Sequence, residues 1–223
     1  MITALRSRAE LELDRLALDP YCKLYLPFWK LDGDSFADHS AYGHLCTNYG
    51  SKWQLDGRYF DGDDDKVDCG NHPSLQITST DPFTMFSEFN PSSLTSMDTL
   101  IGKDGGGGTV NKWIFCYEDA TKGAGLHINS PANEAFWFDS YWVPVIHKRQ
   151  QVALTREQSN WLFYGDGKQV KTLTSTQVMR NSTTSLIVGW SESTFYWHGL
   201  ISQTLIHSFA DYAPRILSRS IGG

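Results

Sequence analysis

The sequence predicts an all-β domain with one helix at its N-terminus, and three observations carry that expectation. The first is the stretch from Gln151 to Lys168, QVALTREQSNWLFYGDGK. Val152, Leu154 and Arg156 alternate with Ala153 and Thr155, and a polar break at Glu157-Gln158-Ser159-Asn160 reverses the chain. Trp161–Tyr164 resume an extended run, and Asp166-Gly167 turns it again. Period-two alternation bounded by Asn/Ser and Asp-Gly marks a hairpin, because Gly supplies the positive φ such turns need, so this reads as a central hairpin. The second observation is the aromatic and β-branched content of both arms, which suits a half-buried pleated surface. The third is an aromatic content of 13% with eight Trp, which favours a sandwich core, a stacking surface, or both.

In chain order, residues 2–18 are expected to form a helix. Ile2, Leu5, Ala9, Leu13 and Leu16 share one face at steps of three and four. Arg6–Glu10 and Arg8–Glu12 are i,i+4 surface pairs, and Pro20 ends the helix. Leu11 and Leu18 form a second, narrow stripe on the opposite side. Two readings stay open: a terminal helix packed on the β-domain with that stripe incidental, or an arm that docks on a neighbouring subunit. Cys22–Phe28 then reads as a strand, and Phe60 and Val67 as inward strand positions joined by an Asp-Gly turn. Phe83–Pro91 alternates as a strand should, and Leu100–Lys103, Trp113–Tyr117 and Gly123–Ile128 follow as further strands, with Gly105–Gly108 as a loop tip.

Composition bounds the function. A chain of 223 residues with 40% hydrophobic and 20% charged content fits one domain able to bury its own core. A net charge of −6, from 19 basic against 25 acidic residues, argues against nucleic acid as the main partner. No apolar run reaches the length of a membrane span. The opening MITALRSRAELELDRL is charged throughout and lacks the apolar core of a Sec signal peptide. Cys22, Cys46, Cys69 and Cys116 show no zinc-finger or CxxC spacing and read as reduced, buried thiols.

Several segments share a further pattern. Gly57–Val67 has the form G-x-x-F-D-G-x-D-D-x-V, and Leu26–His44 contains PF, L-D-G and then Asp38, Ser40, Gly43 and His44 at characteristic places. Val152–Arg156 with Leu162–Lys168, Thr184–Trp190 and Phe195–Ile201 complete the set. These motifs resemble the LamG-like (laminin G-like) branch of the concanavalin A-like lectin/glucanase superfamily. The resemblance runs from Leu24 to Ile216 and implies two antiparallel sheets in a jelly-roll sandwich. The chain departs from the pattern at Phe89, where a Trp is usual, and at Ser202 and Gln203, where acids are usual. It also departs at Ala213–Ile216, in place of a short helix, and the helical arm has no counterpart in the family. The expected organisation is an arm over 1–19, a jelly-roll domain over 20–216 and a tail over 217–223.

Three chemistries follow as candidates. Asp32, Asp34 and Asp38 form one acidic loop, and Asp61, Asp63, Asp64, Asp65 and Asp68 another. Clustered hard oxygen ligands suit Ca²⁺, and the resemblance implies a structural Ca²⁺ at the loop edge, with Asp32, Asp38, Asp61 and Asp63 as candidate ligands. A turn alone also accounts for Asp61–Asp65. For sugar, the run Phe136-Trp137-Phe138-Asp139-Ser140-Tyr141-Trp142 offers rings for stacking on C–H faces. On a strand, Trp137 and Tyr141 share one face and Phe136 and Phe138 the other, as a binding platform or as packing. Trp142, Trp197, His198 and Asn111 are the remaining ligand candidates. Catalysis is not expected: no strand carries the paired carboxyls of a glycosidase, and no G-x-S-x-G, HExxH or P-loop is present.

The expected function is a non-catalytic LamG-type binding module that recognises carbohydrate or a surface partner. The alternative is a structural virion protein, a capsid decoration or tail-associated subunit, that assembles through Leu11 and Leu18 of its arm or through a sandwich face. Either role places the chain outside the cell or on a virion surface.

Overall fold

A computed structural model describes residues 15–78, 81–105, 111–129, 133–192 and 194–210, without the side chains of 129, 133 and 134. In chain order the described strands are β1 (Cys22–Pro27), β2 (Ser35–Ala37), β3 (Leu45–Tyr49), β4 (Lys52–Gln54), β5 (Gly57–Asp61) and β6 (Lys66–Asp68). Next come β7 (Phe83–Pro91), β8 (Asp98–Lys103), β9 (Lys112–Asp119), β10 (Gly123–Asn129), β11 (Asn133–Trp137) and β12 (Gln150–Glu157). The last are β13 (Asn160–Gly165), β14 (Lys168–Thr174), β15 (Ile187–Val188), β16 (Trp190–Ser191), β17 (Phe195–Tyr196) and β18 (His198–His207).

They build the expected two antiparallel sheets. The first runs β14-β13-β12-β7-β18-β5-β4, with β1 also on β18. The second runs β11-β10-β9-β8-β15-β6-β3-β2, and β16–β17 form a small ribbon beside it. On one edge of β18, His198–Ile201 pair with β5 and Gln203–His207 with β1, while β7 runs along its other edge. The register shift between Ile201 and Gln203 falls at Ser202, where the family usually has acids. Gln203 instead accepts from the Tyr25 hydroxyl and donates to Glu88.

Alternation assigns the core. Leu24 and Leu26, Met85 and Phe89, Val152 and Leu154, and Trp161 and Phe163 face inward from the first sheet. Trp113 and Phe115, Ala124, Leu126 and Ile128, and Phe136 meet them from the second. Phe136 stacks on Trp161 across the sandwich with centroids 4.4 Å apart and planes 9° from parallel. Aromatic pairs of this kind add about 0.5–1.5 kcal/mol beyond area burial.

The hairpin of β12 and β13 forms with a tighter turn than expected, Gln158-Ser159, in which Gln158 has φ 55°. It is not central: with β14 it makes one flank of the first sheet, because β7 and β18 take the middle. Helix is described only at residues 15–17. Leu16 is buried in a second apolar cluster with Phe86, Ala153, Tyr164 and Leu205, residues whose parity turns them to the outer side of the first sheet. Leu18, in the turn that follows, is 83% exposed. Leu11, the rest of the expected helix and Ala213–Ile216 lie outside the described residues. Among the described residues no helix is long and apolar enough to cross a membrane.

One buried cation organises the end of the sandwich. Arg58 of β5 is 1% exposed and donates to the carbonyls of Leu31 (2.6 Å), Gly33 (2.8 Å) and Ser51 (3.0 Å). Its guanidinium lies 5.0 Å from the Phe36 ring centroid. Replacing it with an apolar chain of similar length orphans three carbonyls at once. Arg58→Met is therefore expected to lower unfolding free energy by about 2–4 kcal/mol in urea titration. A loss below about 0.5 kcal/mol would show that solvent replaces the guanidinium freely.

Candidate functional site

The outer face of the second sheet carries the candidate site. With Trp113, Phe115, Leu126 and Phe136 inward, strand alternation turns Lys112, Ile114, Cys116 and Glu118 of β9, His127 of β10 and Trp137 of β11 outward. Register places Trp137, Gly125 and Cys116 in one row across the sheet, and Ala135, His127 and Ile114 in the next. Gly125 is required there: a Cβ would sit 2.5 Å from Cε3 of Trp137 and 2.3 Å from the Phe136 carbonyl oxygen. The indole can lie over the sheet only because that atom is missing. Trp137 is left half-exposed.

Charged groups flank the ring. Lys122 Nζ stands 5.8 Å from the Trp137 ring centroid and 3.1 Å from Glu118 Oε1. On the far side Lys112 Nζ pairs with Asp104 Oδ2 at 3.3 Å and with the Glu192 carboxylate, bridging the β8–β9 end to the β16–β17 ribbon. Between these pairs His127 is half-buried; burial first and the Lys112 charge second hold its pKa below the ordinary 6.5, so it is neutral at neutral pH. Its Nδ1 and the Oε2 of Glu118 are shielded from solvent and have no hydrogen-bond partner among the described residues. Further along the same face Lys66 Nζ lies 4.7 Å from the Trp190 ring centroid and 5.4 Å from that of Tyr49, and Trp190 meets Tyr196 at 6.4 Å.

The ligand candidates from the sequence divide. Trp137 belongs to this face. Tyr141, 66% exposed, sits in a 3₁₀ turn (Asp139–Tyr141) rather than on a strand with Trp137. Trp142 packs over Gly165 and against Phe89 and Phe138, with its Nε1 3.3 Å from Asp166 Oδ2. Trp197 is not at a loop tip: it is 1% exposed and packs edge-on against Phe89 at 5.0 Å. His198 has both ring nitrogens engaged, by Ser93 Oγ at 2.9 Å and Tyr59 Oη at 3.0 Å. Asn111 donates to the Asn181 carbonyl in a loop contact. Sequence reasoning missed Lys112, Glu118, His127 and Glu192. The alternation of β9 and β10 could have turned the first three outward; no sequence signal brings Glu192 to Lys112.

The acidic candidates divide too. The Asp38 carboxylate accepts from the backbone N–H groups of Tyr25 (3.2 Å), Ser40 (2.7 Å) and His44. Asp32 accepts from Gly33 N–H, and the loop it shares with Asp34 lies on the Arg58 guanidinium. A protein cation and backbone donors thus occupy the first loop, and Asp32 and Asp38 do not gather as a ligand set. In the second loop Asp61, Asp64 and Asp65 bring one carboxylate oxygen each within 4.8 Å of one another, and Asp63 is not among them. Burial first, and then its Asp61 and Asp64 neighbours, push the Asp65 carboxyl above its usual range, although a hydrogen bond from the Asp61 N–H works the other way.

The Laminin_G_3 family model, described as Concanavalin A-like lectin/glucanases superfamily, matches residues 61–215. No curated protein sequence matches the chain. Among solved structures, Domain 4 of AbnA, a GH43 extracellular arabinanase from Geobacillus stearothermophilus, in complex with arabinotriose, superposes with TM-score 0.68 at 13% identity, over 88% of this chain and 97% of that one. Trypanosoma rangeli sialidase in complex with sialic acid gives 0.61 at 12%, over 93% of this chain but only 36% of that one. The Ruminococcus gnavus IT-sialidase CBM40 bound to α2,3 sialyllactose gives 0.51 at 11%, over 63% and 82%. At these identities the likeness establishes the fold.

The site shares its titration behaviour with the rest of the domain. Burial is the leading cause that holds His39, His44, His127 and His207 below 6.5. Each then has a lower pKa folded than unfolded, so below about 6.5 the unfolded chain binds more protons and stability is lost as pH falls. The raised carboxyls of Asp65 and Asp98 act oppositely, but only nearer the carboxylate range. The urea midpoint is expected to fall from pH 7.5 to 5.5; a flat or rising profile would contradict burial of neutral imidazoles.

Proposed function

The chain belongs to the Concanavalin A-like lectin/glucanase superfamily, and from that premise we propose that it binds an oligosaccharide on the outer face of its second sheet. The observation that carries this is the half-exposed Trp137 ring laid over Gly125, with Lys122 Nζ 5.8 Å from its centroid. An apolar ring flanked by a few directed polar groups is the general form of a sugar site: the ring takes a C–H face, and the polar atoms take hydroxyls. The role proposed is that of a secreted or surface-displayed module. The assembly alternative is supported by the exposed Leu18 alone.

A glycan array that includes arabino- and sialyl-oligosaccharides, followed by titration calorimetry, tests the reading. Trp137→Ala is expected to weaken binding roughly tenfold or more with little change in stability. Trp197→Ala should instead cost about 3–5 kcal/mol of stability by emptying the core. Unaltered affinity in folded Trp137→Ala would place the glycan elsewhere.

A structural Ca²⁺ is proposed at Asp61, Asp64 and Asp65 rather than at Asp32 and Asp38. A dication there would offset the mutual repulsion of three clustered carboxylates. Millimolar Ca²⁺ is then expected to raise the melting temperature relative to EDTA by several degrees, by mass action on the folded state. Asp64→Asn should abolish that rise, and no difference in the parent protein would remove the site.

A further inference from the structure

Cys46 and Cys69 occupy a cross-strand pair. β3 and β6 are antiparallel, with Asn48 opposite Val67 and Thr47 opposite Asp68, so the next step in register sets Cys46 opposite Cys69. Both side chains enter the same core cluster, at 0% and 2% exposure. Both are free thiols in the structure; Cys46 Sγ donates to the His44 carbonyl at 3.5 Å, and Cys46 is the neighbour that most raises the pKa of Cys69. The other cysteines are placed differently: Cys22 joins the outer cluster of the first sheet, and Cys116 faces out from the second with its Sγ 3.9 Å from Met97 Sδ. The sandwich lies between them.

We propose that Cys46 and Cys69 form a disulfide site, closed as the chain folds in an oxidising compartment. Directly opposed residues on one face of an antiparallel pair have the Cβ separation that a disulfide spans. The oxidant is a small disulfide such as oxidised glutathione. One protein thiolate attacks a glutathione sulfur, forming a mixed disulfide and releasing the first glutathione thiolate. The second protein thiolate attacks the protein sulfur of that mixed bond, closing the bridge and releasing the second. Two electrons pass to glutathione, and the two protons from the cysteines end on its two thiols. Burial and the Cys46 contact disfavour the Cys69 thiolate in the folded protein, so closure belongs to folding. The bridge would staple the short strands β2, β3 and β6 at the edge of the second sheet, which few backbone hydrogen bonds hold.

The test uses the full chain, denatured and reduced, then refolded with either a glutathione redox buffer or excess reductant. Alkylation under denaturing conditions, intact mass and non-reducing peptide mapping follow. Oxidative refolding should leave two alkylatable thiols, lower the mass of the unalkylated chain by about 2 Da and link the peptides that carry Cys46 and Cys69. The oxidised form should melt roughly 6–12 °C above the reduced form. Cys22→Ser/Cys116→Ser should keep both results, and Cys46→Ser/Cys69→Ser should lose both. Four free thiols after oxidative refolding, a link through Cys22 or Cys116, or native structure reached only under reductant would overturn the site. These readouts need no glycan, so the disulfide and the sugar reading stand or fall separately.

Discussion

Phe136 lies almost parallel to Trp161, and that one stack joins the outermost strand of the second sheet to the first. Because side chains alternate across a strand, holding Phe136 inward forces Trp137 outward. Trp161 is in turn fixed by the edge of Phe83 and by the Arg156 guanidinium 4.9 Å from its ring centroid. A packing requirement of the core thus produces an indole on the surface. Gly125, directly across from it, leaves the room that indole needs. The candidate site is a by-product of core register, which is why it is rigidly placed.

The same logic separates the polar groups that hold the fold from those that do not. Glu88, 1% exposed on the first sheet, accepts from Arg149, from Gln151 Nε2 at 2.9 Å and from Gln203 Nε2 at 3.1 Å. Arg58 meets three carbonyls, and Asp38 meets three backbone N–H groups. Buried charge is tolerated in each case because several directed bonds replace its lost water. Trp197 Nε1, inside the core, has no hydrogen-bond partner among the described residues. His127 Nδ1 and Glu118 Oε2 are shielded too, on the outer side of the second sheet.

Much of the fold was legible because period two is a local property. The strand of Phe83–Pro91 was read to its full length, and Phe60 and Val67 were read as inward positions. Local pattern does not say which strands become neighbours. β5 and β6 follow one another through the Asp61–Asp65 turn yet enter different sheets, and β12–β13 looked central while standing on a flank. Trp197 is a ligand candidate in the sequence, but the structure buries it at the entry to β18. The sequence also does not show that Arg58 folds back beneath the loop of Asp32 and Asp34. Each error concerns a partner distant in the chain, and none concerns the residue's own propensity.

Two layers of the chain therefore evolve under different constraints. The inward layer needs apolar side chains of suitable volume at alternate positions, a demand that many sequences meet, so relatives can share this sandwich with little identity. The outward layer of β9–β11 is mixed: Ile114 and Cys116 are fully buried, Lys112 is bridged to Asp104 and Glu192, and Trp137 is half-exposed. In the proposed reading, a change at the exposed part of this layer, around Trp137, alters which hydroxyls are met. The likeness of the fold accordingly transmits a platform. In the proposed reading, the sugar accepted depends on Trp137 and on the Glu118–Lys122 pair beside it.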